Sequence, residues 1–349
     1  MESGRLDALY EAWTRLHSTG PEFNDWLSNH GPMAAEALVR HGYADRIPAW
    51  LDSYSQRLEE SPRGIHPVTA DNWQEALGDP RRLGDWPDFF RRELAEAPWE
   101  DVLAAWWPRL LPGIAAGATH GVIRVGHAVR IAREAGANEV TLEELAQALA
   151  YWAARWQPVV DPRTPRGEAE LLDALKAVGP IKHREHGILT RLEQLEETPT
   201  WRTDQEAAAP AADPEEFLRR LVSAAVEYYR TRGNGNPVML VHAATAPNAV
   251  LRSLPSLPRE LWRPSAEAAW TASAALAAIY QPDEPVPEER QREFASVASG
   301  MDEAIAEATT TGEEHAIKFA DTAASVLEWD PGASSAAATV SCAVMIKND

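Results

Sequence analysis

Apolar positions in this chain recur three and four residues apart, and strict alternation is scarce. That period lines them along one face of an α-helix. It predicts amphipathic helices over about 5–18, 32–40, 44–60, 86–97, 99–110, 112–135, 142–157, 167–177, 182–196, 214–231, 237–252, 259–280, 288–309 and 312–328. The punctuation agrees: Pro32 and Pro237 stand as first-turn prolines, Gly42 follows the helix it would stop, and Thr141 with Glu144 reads as a capping box. An all-α fold follows, a single large multi-helix body over residues 1–330. The tail at 331–349 is small and apolar, with an end that leans toward β. Two stretches break the pattern. Glu196–Pro214, rich in Pro, Ala and acidic residues, reads as a long, mobile surface connection, and Gln281–Glu289 as a rigid turn.

Composition narrows the chemistry. The chain has 349 residues, 45% of them hydrophobic, which is enough for a large core. Its net charge of −20 repels phosphate backbones and anionic lipid heads, so neither nucleic acid nor a membrane surface is expected as a partner. Cys342 is the only cysteine, which excludes an intrachain disulfide and a thiolate metal cluster; any metal must be held by nitrogen and oxygen. The start, MESGRLDALYEAW, lacks the apolar core of a signal peptide, and no run of 18 uncharged apolar residues follows. The expected location is therefore cytoplasmic. Fourteen tryptophans against six phenylalanines offer flat surfaces for an aromatic ligand. Even so, Trp99, Trp106, Trp107, Trp152 and Trp156 fall at spacings that point into a core.

The stretch Gly113–Arg130, GIAAGATHGVIRVGHAVR, joins close packing to chemistry. Gly113, Gly117 and Gly121 recur every four residues, so on a helix over 112–135 they would line one side and let a neighbouring backbone approach. His120 sits in that row. His127 lies two turns on, roughly 10.5 Å along the axis, too far for one ion to hold both easily. His120 is the better ligand by this geometry, and His127 the better substrate-facing group. Arg124, between them, could bind a substrate oxyanion or a neighbouring carboxylate.

Of the other histidines, His17, His41, His66, His183 and His186 sit beside charged or loop residues and are expected at the surface. His30 in NHGPMAAEAL opens a helix, and His242 in NPVMLVHAATAPNAVL lies where almost no charge occurs. His315 and Lys318 in TGEEHAIKFADTA are three apart, so they share a helix face. Lys318 could pair with Glu314. Alternatively, a buried lysine beside a cation loses its proton readily and takes up CO2 as a carbamate, which binds metal through oxygen. His30, His120, His242 and His315 thus come from four helices in apolar or small-residue settings. The expectation is a nitrogen-rich metal site buried between helices, with Lys318 as an oxygen donor.

These motifs, NHGPMAAEAL, GIAAGATHGVIRVGHAVR, VHAATAPNA and EHAIKFADTA, resemble in order and separation those of the questin oxidase-like family, over roughly residues 5–330. The resemblance implies oxidative opening of anthraquinone-type or related aromatic polyketide rings by a Baeyer–Villiger-type or dioxygenase-like reaction. It also implies a non-heme iron site of histidines with a carboxylated lysine. His315 and Lys318 match its HxxK part, and His30, His120 and His242 the other motif histidines. An aromatic small molecule and O2 would be the substrates, and Arg124 and His127 would orient the substrate oxyanion. One rival is a metal-independent oxidase using flavin or NADPH, although the GNG at 233–235 lacks the third glycine and preceding strand of a dinucleotide fingerprint. A non-catalytic binder of aromatic molecules is another.

Overall fold

The computed structural model describes residues 3–185, 187–297, 300–333 and 335–348. His186, residues 298–299 of the helix expected over 288–309, and both extreme termini lie outside the described residues. The described residues are all-α apart from one two-stranded hairpin, Glu22–Phe23 with Leu27–Ser28. The chain divides into two units, Met1–Pro158 with Arg252–Leu261, and Val159–Leu251 with Trp262–Asp349.

The first unit carries α1 (Ser3–Leu16), α2 (Gly31–Arg40), α3 (Ile47–Tyr54), α4 (Trp73–Ala76), α5 (Trp86–Glu96), α6 (Trp99–Leu110), α7 (His120–Ala135) and α8 (Glu139–Ala154). Its tryptophans serve mainly as core. Trp86, Phe89, Phe90 and Trp106 meet as a cluster of edge-on and stacked rings, and Trp107 meets Trp152 edge-on. Trp99 and Trp156 are half-buried. Residues 44–60 form a short α-helix between two 3-10 turns rather than one continuous helix.

The helix expected from residue 112 begins only at His120, because Gly117, Ala118 and Thr119 all have positive φ, at 51°, 58° and 70°. For alanine and threonine that backbone costs about 1–2 kcal/mol each, so the turn is held by its surroundings. The glycines still admit a close neighbour: a Cβ at Gly113 would strike Trp156, at Gly117 Tyr151, and at Gly121 the Trp152 side chain at 2.8 Å. Gly121→Ala is therefore expected to push α7 off α8 and cost about 1–3 kcal/mol, read as a lowered urea midpoint at constant slope. Thr141 and Glu144 do not form the capping box of α8. Its cap is Asn138, which accepts the Thr141 backbone N–H at 3.0 Å, and Glu144 is used elsewhere.

The second unit carries α9 (Leu171–Ala177), α10 (Ile188–Glu193), α11 (Trp201–Glu206), α12 (Pro214–Arg232), α13 (His242–Ser253, which leaves the unit after Leu251), α14 (Trp262–Tyr280), α15 (Glu288–Val297), α16 (Met301–Thr311), α17 (Glu314–Trp329) and α18 (Ser335–Asn348). Pro237 does not open α13; residues 237–241 form turns, with Asn236 accepting the Met239 N–H at 2.9 Å. The Glu196–Pro214 stretch holds α11. Its Trp201 is buried and donates to the Val160 carbonyl at 2.9 Å, and Trp270 donates to the Gln205 carbonyl at 2.8 Å. The tail is helical as well: α18 packs on α12, α15, α16 and α17.

Candidate functional site

In the first unit the loop before α2 places His30. Asn29 donates to the Gly20 carbonyl at 3.0 Å and accepts the Gly31 N–H at 2.9 Å, while the His30 N–H donates to the Tyr54 hydroxyl at 2.6 Å. His30 is the residue that caps α2, and His120 is the first residue of α7. Their buried rings meet edge-on, centroids 4.5 Å apart, with donor nitrogens within 4.8 Å of one another. His120 Nδ1–H donates to the Gly117 carbonyl at the strained turn. That bond fixes the tautomer with its lone pair on Nε2, the arrangement of a metal-binding imidazole.

The second unit repeats the device. His242 opens α13 and donates from Nδ1 to the Met239 carbonyl at 3.0 Å. His315, second residue of α17, donates from Nδ1 to Glu313 Oε1 at 2.7 Å. The rings stand edge-on with centroids 5.5 Å apart and ligand atoms within 4.8 Å. Burial holds both pKa values below the usual histidine range, and the Lys318 charge pushes the same way. All four histidines occupy a cap or the first two positions of a helix, and for His242 and His315 the positive end of the dipole also disfavours imidazolium. Lys318, one turn beyond His315, is fully buried, and its Nζ has no hydrogen-bond partner among the described residues. Burial pushes its pKa down to about 7, against the opposing pull of Glu314 and Glu313. This is the chemistry of a donor set: imidazoles, three of them with Nδ1 held, and a buried amine that is easily deprotonated.

The sequence model of the questin oxidase-like family matches residues 33–322, taking in three of the four histidines and Lys318. The chain belongs to the questin oxidase-like family. No curated protein matches it. Membership points to an oxidoreductase acting on a small molecule, an oxidase of aromatic polyketides. No described helix is long and apolar enough to cross a membrane.

Against that family background, the two other predicted site residues of the first unit, His127 and Arg124, each sit in a buried network. His127 Nδ1–H donates to Glu36 at 2.7 Å, and Arg130 binds the same carboxylate. Burial holds the His127 pKa down, with Glu36 opposing. Arg124 meets the neighbouring-carboxylate alternative: its Nε and Nη2 donate to Glu144 at 2.6 and 2.9 Å, and Nη2 also reaches Gln147. His17, expected in solvent, is largely buried with Nε2 2.9 Å from Glu144, whereas His66 and His183 are exposed and His41 half-buried. Sequence reasoning does not find Glu36, Glu144 or Glu313 as site residues. Glu36 stands out only as a carboxylate inside an apolar helix face, and Glu313 only as the residue before a helix start. A surface cleft of about 500 Å³ lined by Asp161, Trp201 and Arg202 contains none of the predicted site residues.

Proposed function

We propose that this chain is a non-heme iron oxygenase that opens an aromatic, quinonoid or phenolic ring with O2. What carries the reading is Lys318, a fully buried amine without a hydrogen-bond partner among the described residues, one helical turn from an imidazole whose Nδ1 is held by a carboxylate. The resemblance assigns His30, His120, His242, His315 and carboxylated Lys318 to one ion, and the residues fit such a group. Iron, when bound, supplies the redox chemistry with O2.

The chain's own residues do the rest. The neutral Lys318 amine attacks the carbon of CO2; an N–C bond forms, one C=O electron pair moves onto oxygen, and a proton leaves nitrogen to solvent. The product is a carbamate anion with two oxygen donors. His127, its Nδ1–H held by Glu36, presents Nε2 as the base for a phenolic proton, and Glu36 stabilises the imidazolium that results. Arg124 acts from within its pair with Glu144, setting where α7 stands and so supporting how His127 orients the substrate oxyanion. A dioxygenase outcome places both oxygen atoms in the product. A Baeyer–Villiger outcome places one, and draws two electrons from NADPH as the second leaves as water; labelled O2 separates the two.

Elemental analysis of protein purified without added metal tests the reading. The expected result is about one iron per chain, lost both in His30→Ala and in His242→Ala, since five donors of one ion fail together. Metal-free protein that still binds a polyketide, or protein carrying flavin absorbance, would remove it.

A further inference from the structure

Glu313 stands immediately before α17 and uses both of its carboxylate oxygens. Oε2 accepts the Ala316 backbone N–H at 2.7 Å and so caps the helix. Oε1 accepts His315 Nδ1–H at 2.7 Å. Capping alone does not account for a glutamate here. Serine, aspartate and asparagine are the favoured caps, with shorter side chains that lose less freedom. Serine lacks a second oxygen and aspartate is one methylene shorter; Glu313 has both, and its second oxygen is spent on the imidazole.

We infer that Glu313 is a positioning residue for His315, holding the ring in its Nδ1–H tautomer and turning Nε2 outward as the donor atom. The inference rests on the iron reading above for its consequence, though the tautomer itself can be read without metal. His120 and His242 have their Nδ1 atoms held by the backbone carbonyls of Gly117 and Met239. No side-chain substitution removes a carbonyl. His315 differs, because a side chain holds it and a single change can release it. A carboxylate partner also makes the opposite nitrogen more basic than a carbonyl does, so His315 would be the strongest imidazole donor of the three.

Glu313→Ser in the full-length chain separates the two duties, since serine caps α17 but cannot reach His315. Three measurements are made beside the wild type: the urea midpoint without metal, the histidine nitrogen NMR spectrum without metal, and iron affinity by chelator competition. The His315 signals are assigned by their loss in His315→Gln. The expected result is an unchanged midpoint, His315 shifting toward the Nε2–H tautomer, and iron affinity weakened about 10- to 100-fold. An unchanged tautomer overturns the inference, whatever happens to stability, because Glu313 is then a cap alone. A changed tautomer with wild-type iron affinity overturns the positioning role. A wild-type protein that binds no iron defeats the iron reading instead, and the tautomer measurement still decides whether Glu313 orients the ring.

Discussion

Lys318→Met is expected to purify without iron and, with both proteins metal-free, to melt above the wild type. The two effects have one cause. The amine is fully buried and its Nζ meets no hydrogen-bond acceptor among the described residues, so the fold bears the cost of stripping water from a polar, ionisable group. Methionine has nearly the same length and volume with nothing to satisfy, and the metal-free protein should gain about 1–3 kcal/mol, a rise of a few degrees in Tm. Iron disappears because the thioether cannot become a carbamate. Lys318→Arg keeps the cation but cannot be carboxylated, and should not regain iron. Lys318→Ala loses iron too, but leaves a cavity and gains less stability or none. Wild-type iron content in the Met and Arg variants would sink the carbamate assignment. A metal-free Met variant that melts lower would mean the amine is compensated after all. Such a gain of stability on loss of function is what a site residue gives and a purely structural residue does not.

The helical architecture is legible because period and punctuation agree over long stretches: α6 lies where the pattern places it, and α12, α14 and α17 differ only at their ends. The misreadings have identifiable causes. Spacing sees side chains and not φ, so GIAAGATH looks helical although three left-handed residues hold the chain out of α7 until His120. That miss matters for the site, since it hides that the motif histidines share the starts of helices. The tail is opaque for another reason. Helix α18 is apolar or small on all sides, and such a segment carries no face to read. Helix α11 is hidden by the Pro- and Ala-rich composition around it, with Trp201 the one signal of burial. The donor residues themselves are legible as types in sequence. Their carboxylate partners are not, because Glu36 lies 91 residues from His127, and only folding joins them.

Glu144→Ala is expected to cost about 3–5 kcal/mol of stability, a larger loss than Gly121→Ala brings. Glu144 is buried on α8 between Arg124 of α7 and His17, with oxygens 2.6–2.9 Å from both partners. Removing it leaves a guanidinium in a nearly dry site with no anion to face. Burial pushes the Glu144 carboxyl up, but Arg124 and His17 together outweigh it, and the net pKa is below the usual value of 4.5. The sign follows from that depression. The unfolded chain takes up a proton on Glu144 before the folded one does, so its stabilisation is complete above the ordinary carboxylate range and is lost as pH falls through the lower folded value. Glu144→Gln should therefore be less stable than wild type at pH 7, with a shallower loss on acidification. The decisive variant removes both charges. Arg124→Leu with Glu144→Leu leaves no orphaned ion, and should be more stable than either single change, giving a coupling of at least 1 kcal/mol or so in a double-mutant cycle on urea midpoints. Additive losses would show that the two residues contribute independently, and that their pairing does not fix α7 to α8. Coupled losses would make the ion pair part of what presents His120, since that histidine rides at the head of the helix Arg124 anchors.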